Sequence, residues 1–267
     1  MIARSIVVAI ALAGAGCERA DQTPTTKRVT IATAVTKVTL RDAGSEPRQQ
    51  LRYRIAAQQA TVFEHETRMI DRWDGGATET YPTVTMREQR RVAEVQADGA
   101  MRDVGRILDI TYDRPVDEVW KRFTWLRGAT FDGWMDARGA PIGDLHAVID
   151  ERLTPRDYDP DSTPYTLVFP EEPVGVGARW EIEASRPGAR ATIRVELVRI
   201  TGTTIDVETK FDHQSDAMAM MSATGEGRVR LDLRGVDSGG TYLERATGVV
   251  DNVKVTREIT TTMRRAR

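Results

Sequence analysis

A single cysteine, Cys17, occurs in the 267 residues. No disulfide can close within the chain, so stability must come from a packed core. Histidine is nearly as rare: His65, His146 and His213 are the three, and none stands in an H-x-H or H-E-x-x-H spacing. Without clustered histidine or cysteine donors the chain offers no structural zinc site, and no metal or cofactor is expected. The histidines read as residues of polar strand faces. Serine never falls in a G-x-S-x-G elbow or an S-x-x-K pair, which leaves no nucleophile signature. The acid pairs Asp150-Glu151 and Glu171-Glu172 fall where turns are expected, and solvated charge accounts for them. No catalytic residue is assigned. Neither charge sign dominates either: 38 basic against 40 acidic residues give a net charge of −2, with no basic stripe for nucleic acid. No apolar run approaches the ~20 residues that span a bilayer.

What is present begins at the N-terminus. Arg4 is followed by the apolar run Ile6 to Leu12 and then by Ala13-Gly14-Ala15-Gly16 ahead of Cys17. A charged start, a short apolar core and small residues before a cut site make a secretory signal. Small residues directly before a lone cysteine resemble the lipobox of bacterial lipoproteins, in which the thiol is acylated and becomes the new N-terminus. The resemblance implies a signal peptide at 1–16 and lipid (palmitate among the acyl chains) on Cys17. Ordinary cleavage after Ala15, with secretion of the chain, is the alternative. Glu18 rather than Asp follows the cysteine, which points to delivery to the outer membrane, with the domain facing the periplasm. Residues 17–28 are polar, with Pro24 among threonines, and read as a flexible tether. The remainder, 29–267, is expected to form one β-rich domain with lobes at about 29–150 and 165–267.

Period-two alternation dominates that remainder. Ile193, Val195 and Leu197 alternate with Arg194 and Glu196; Ile205, Val207 and Phe211 with Asp206, Glu208 and Lys210; Val229, Leu231 and Leu233 with Arg228, Arg230 and Asp232. Val253, Val255, Ile259, Thr261 and Met263 share one parity. In the first half Leu51, Tyr53 and Ile55 alternate with Arg52 and Arg54, and Val84 and Met86 with Thr85 and Arg87. One apolar and one charged face per strand is the pattern of antiparallel strands over a one-sided core. Asp98-Gly99, Asp136 to Gly139, Asp74-Gly75-Gly76 and Asp237 to Gly240 mark turns. The fold expected is mostly antiparallel β, a curved sheet or half-barrel from two meanders, with a β-sandwich as the alternative. Gly225-Glu226-Gly227 reads as a strand start, the basic end Arg264, Arg265, Arg267 as a solvated tail, and Met218, Met220 and Met221 as packing residues, with Cu(I) ligation the alternative.

One segment departs from the alternation. Val116, Val119, Trp120 and Phe123 fall at helical spacing after Pro115, with Asp117 and Glu118 early and Lys121, Arg122 and Arg127 late. The pattern predicts an amphipathic helix over about 115–127 that stops at Gly128 and lays its aromatic stripe on the sheet. Trp120 and Phe123 are the candidate ligand-binding residues.

Two further patterns are Asp136-Ala137-Arg138-Gly139-Ala140-Pro141 and the run Pro170-Glu171-Glu172-Pro173-Val174-Gly175-Val176-Gly177-Ala178-Arg179-Trp180. With the N-terminal signal, this P-x-x-P-V-x-V-G-x-x-W motif resembles a family of bacterial lipoproteins whose domain has no assigned function. The architecture is loosely similar to the curved sheets of lipoprotein-carrier proteins. The family supplies no catalytic residues, and both motifs read first as structural, with Trp180 anchoring a strand in the core. The function expected is a non-catalytic envelope lipoprotein, attached to the membrane through its N-terminal lipid, that binds a hydrophobic ligand or an envelope partner on a concave apolar face. An enzyme, such as a hydrolase, with a site assembled from distant residues, or a purely structural envelope role, is the alternative.

Overall fold

The structure is a computed structural model that describes residues 25–153, 167–186, 188–215, 222–235, 238–250 and 253–266. Cys17, the signal segment and the methionines 218, 220 and 221 lie outside the described residues. The strands are β1 Thr26–Ile31, β2 Val35–Asp42, β3 Ala60–Trp73, β4 Thr78–Thr80, β5 Val84–Val95, β6 Met101–Tyr112, β7 Thr130–Met135, β8 Pro141–Asp150, β9 Arg179–Arg186, β10 Ala189–Thr201, β11 Thr204–Ser215, β12 Ser222–Asp232, β13 Gly239–Val250 and β14 Val253–Arg265. All the described ladders are antiparallel and belong to one sheet, so the expected curved sheet forms and the sandwich alternative falls away. The first ladder starts at Thr26, ahead of the expected end of the tether at Arg28.

Two meanders make the sheet. One runs β3-β5-β6-β7-β8, the other β9 through β14, and the β3–β14 ladder joins them. The two expected lobes are thus continuous. β1 adds to β8 and β2 to β9, at opposite ends of the strand order. Yet Ile31 and Val35 are only four Cα steps apart, at most about 14 Å. The sheet therefore curls until its two edges are neighbours, although no described ladder joins β1 to β2. The reason for the handover lies in β8. Continuing the register Ile31↔Leu145 would set Thr33 against Gly143 and Val35 against Pro141. Gly143 has a φ of +65°, and Pro141 has no N–H to donate. Thr33 Oγ1 still reaches Gly143 O at 2.5 Å, after which the chain pairs with β9.

The inner face is filled from the end where the β5–β6, β7–β8, β10–β11 and β12–β13 connections lie. Leu51, Tyr53 and Ile55 are buried as their alternation predicts, but they do not form the expected strand. Their stretch joins no ladder: Tyr53 N donates to Ala137 O and Arg54 N to Leu233 O, each at 2.7 Å. Alternation here records burial on one side, not pairing. Phe169 packs at a tilt between Tyr53 and Trp180, with ring centroids 5.0 and 6.4 Å away, and the Trp180 indole N–H donates to Val168 O at 2.9 Å. The P-x-x-P-V-x-V-G-x-x-W run thus closes this end of the core, and Trp180 anchors β9 as predicted.

At the opposite end the helical segment covers the inner face, but it is shorter than expected. A four-residue helix α1, Glu118–Lys121, passes into a 3-10 turn, Arg122–Leu126. Asp117 rather than Pro115 sets the start, because its Oδ1 accepts the Trp120 N–H at 3.2 Å. Thr124 Oγ1 donates to Lys121 O at 2.6 Å, a local bond that competes with helix continuation. Leu126 sits in a cluster with Ile107, Ile110, Phe131, Leu145 and Ile149.

Candidate binding site at the aromatic end

The structure brings the two sequence-predicted site residues together at the end of the curl opposite Trp180. Trp120 is buried against Met69 of β3 and Ile259 of β14, with Phe123, Tyr81, Tyr112 and Val116 partly buried around it. Its ring lies 5.5 Å from that of Tyr81 and 5.6 Å from that of Phe123. The Tyr112 hydroxyl donates to the Trp120 carbonyl, and burial pushes the pKa of this phenol up to about 12. Trp120 is held in place from both sides.

Charged residues stand beside this apolar patch on the same inner face. Asp71 and Arg257 face each other across the β3–β14 ladder and form a two-point ion pair, both N–O distances 2.7 Å. The Tyr81 hydroxyl lies 2.9 Å from Asp71 Oδ2 and 3.0 Å from Glu79 Oε2. Burial and these two carboxylates raise its pKa well above the ordinary phenol value. The Asp71 partnership likewise holds the Arg257 guanidinium protonated.

Two rows of residues cross the inner face here. Phe211, Gly225, Glu244, Ile259 and Met69 are successive cross-strand partners, and so are His213, Ala223, Ala246, Arg257 and Asp71. Glu244 is only 5% exposed. Its flanking positions on β12 are Gly225 and Ala223, and among the described residues it has no hydrogen bond or ion pair. Burial pushes its pKa up to about 7. Gly225 does not start a strand, as expected, but sits inside β12. A Cβ there would lie 2.0 Å from Phe211 Cζ, so the glycine makes room for the ring.

The histidine expectation is corrected. His146 is exposed, but His65 and His213 are buried on the inner face, because that face is not uniformly apolar. His65 Nε2 lies 3.4 Å from Glu88 Oε2, without hydrogen-bond alignment at either ring nitrogen. Glu88 Oε1 is 3.8 Å from Arg90 Nε, and Arg90 pairs with Asp103. Burial closes this group off from a substrate. Among the described residues no cluster of three or more His, Cys, Asp or Glu is arranged to hold a metal ion. Arg264 is not part of a loose tail; it lies in β14 and pairs with Glu64 of β3. On the outer face of β9–β13 a groove of about 640 Å³ runs between Arg194, Glu208, Lys210, Glu226 and Arg228. Its charges are cross-strand pairs such as Arg228–Glu208 at 2.9 Å, a solvated ladder of mixed sign.

Sequence reasoning missed Asp71, Arg257 and Glu244. A usable signal existed: Arg257 has the parity of Val255, Ile259, Thr261 and Met263, and Glu244 that of Tyr242 and Ala246.

No family model matches the chain, and no curated protein matches it. Among solved structures, Ail, the attachment invasion locus protein of Yersinia pestis, aligns over 79% of this chain and 100% of its own, with 8% identity and a TM-score of 0.19. A likeness at that score carries no argument about fold or function.

Proposed function

We propose that this chain is an exported, lipid-anchored protein of the bacterial envelope, without a catalytic role, that holds a hydrophobic ligand at the aromatic end of its curled sheet. The anchor reading rests on Cys17 behind its small-residue cut site, and outer-membrane delivery on Glu18. The resemblance of the P-x-x-P-V-x-V-G-x-x-W run to the lipoprotein family agrees with it. One observation carries the binding reading. The partly exposed rings of Tyr81 and Phe123, packed on the buried Trp120, adjoin three inward charged residues, Asp71, Arg257 and Glu244. An apolar patch with a few convergent polar groups is the usual composition of a small-molecule site.

The test uses the full chain and the apolar fluorophore N-phenyl-1-naphthylamine. Saturable binding near one per chain is expected, and Phe123→Ala should weaken it at least fivefold with little change in melting temperature. A linear, non-saturating signal, or affinity indifferent to Phe123, overturns the reading.

A further inference from the structure

We infer that the aromatic end is the face this protein turns toward the membrane, with the rim of that end resting on the lipid surface that holds Cys17. The inference rests on the lipid-anchor reading above and adds to it an orientation and a contact surface.

The root of the tether fixes the geometry. β1 begins at Thr26, opposite Asp150 at the end of β8, and Thr25 O accepts the Glu151 N–H at 2.8 Å. The neighbouring Arg152 guanidinium lies 4.3 Å from the centre of the Trp125 ring, in the 3-10 turn. The chain thus leaves the sheet beside the helical cap of the aromatic end. Cys17 stands eight residues ahead of Thr25, a reach of at most about 29 Å. With the aromatic end toward the bilayer that length is slack. Turning the Trp180 end to the bilayer would require the tether to run back along the ten residues of β8. That path of about 33 Å along the strand takes up its full extension.

The rim of the aromatic end suits a lipid surface. Trp73, Phe123 and Trp125 are partly exposed there, and Val253, beyond the last pair of the β3–β14 ladder, is exposed with Lys254. Rings that are apolar with one polar edge favour the boundary between headgroups and acyl chains. The outer face of the sheet does not suit it. Cross-strand pairs such as Arg194–Asp212 at 2.8 Å and Arg228–Glu208 at 2.9 Å cover that face, and burying them in lipid would desolvate their charges. The opposite end exposes Val95, Ile142 and Val176, so apolar exposure alone does not choose between the ends; the tether does. A few rings make a weak contact by themselves. A short tether, however, holds the rim near the surface at millimolar effective concentration, so docking needs little intrinsic affinity.

Quenching of tryptophan by lipid reads the orientation. The lipidated protein is reconstituted into phosphatidylcholine vesicles with or without bromine on the upper acyl chains, and the vesicles are floated. Of the five tryptophans, Trp73 and Trp125 stand at the rim, whereas Trp134 and Trp180 lie toward the other end. Brominated lipid should remove roughly a fifth to two fifths of the emission, the share of one or two tryptophans in five. Trp73→Phe and Trp125→Phe together should abolish most of that loss, and Trp134→Phe should leave it unchanged. Both rim substitutions keep an aromatic ring, and the wild-type quenching is read without them. Floating protein whose emission is indifferent to bromine, or quenching that vanishes with Trp134→Phe and survives in the double variant, overturns the orientation while leaving the anchor intact. Failure of the protein to float with the vesicles overturns the anchor reading, and this inference with it.

Discussion

Asp71 and Arg257 meet in a two-point ion pair although 186 positions separate them. They sit opposite one another in the β3–β14 ladder, the seam at which the two meanders become one sheet. The Asp71 carboxylate is almost wholly buried and the Arg257 guanidinium side chain mostly so. Removing one member strands the other charge inside, at about 3–5 kcal/mol. Asp71→Asn should therefore lower stability by that order in urea melts. Replacing both partners, Asp71→Leu with Arg257→Met, should recover most of the loss. A single variant within about 1 kcal/mol of wild type would show that the pair does not hold the seam.

Gly225 and Phe211 make a second paired constraint. The Phe211 ring occupies the place of a Gly225 side chain, and overpacking of this kind costs roughly 1–3 kcal/mol or more. Gly225→Ala should destabilise the fold, and Phe211→Leu should relieve much of that cost in the double variant. The measurement is a double-mutant cycle in denaturant. Strict additivity of the two single effects would contradict the packing described.

The pH dependence of stability should carry the mark of Glu244. Its carboxyl is raised by burial from 4.5 to about 7. Below about pH 4.5 the group is protonated in both folded and unfolded chains. As pH rises toward 7 the unfolded chain loses the proton first, so stability falls through this window. Above about 7 both forms are ionised and the penalty is constant, on the order of 3 kcal/mol. The groups that face it are Arg257 from β14 and His213 from β11, with Asp71 of β3 engaging Arg257. Glu244→Gln cannot lose a proton, so the variant should gain on wild type between pH 4.5 and 7.5. A stability difference that is flat across that range would count against the buried, unpartnered carboxyl.

Much of this fold was legible in the sequence, and the polar interior was not. Strands β10, β11, β12 and β14 followed from strict alternation, the β5–β6 and β7–β8 turns from Asp98-Gly99 and Asp136 to Gly139, and the core position of Trp180 from the proline-glycine run before it. Those signals are local. The pairing of β1 with β8 and β2 with β9 depends on sheet curvature, which no short pattern encodes. Alternation also misled where it equated charge with solvent. Glu88 and Arg90 share parity with Met86 and Val92 and point inward with them, because partners on other strands receive them. Leu51 to Ile55 erred the other way, with strand-like burial but hydrogen bonds that go to turns. For the site, Trp120 and Phe123 were legible from helical spacing. Asp71, Arg257 and Glu244 become neighbours only through the register of β3, β14 and β13.

The anchor is tested at Cys17 and Glu18. If the lone thiol carries the lipid, Cys17→Ser should release the protein from the membrane fraction, since two or more acyl chains hold a chain far more firmly than any peripheral contact. Among the described residues no helix is long and apolar enough to cross a membrane, so no described helix supplies a second anchor. A Cys17→Ser protein that remains as firmly bound as wild type would remove the lipoprotein assignment and favour another mode of attachment. Sorting is read on a density gradient that separates the two membranes. With Glu18 in place, the native protein should band with the outer membrane. Glu18→Asp shortens the side chain by one methylene and supplies the residue associated with inner-membrane retention, so it should shift the protein to the inner band. Recovery of the native chain in the inner membrane overturns the outer-membrane expectation, whatever the variant does.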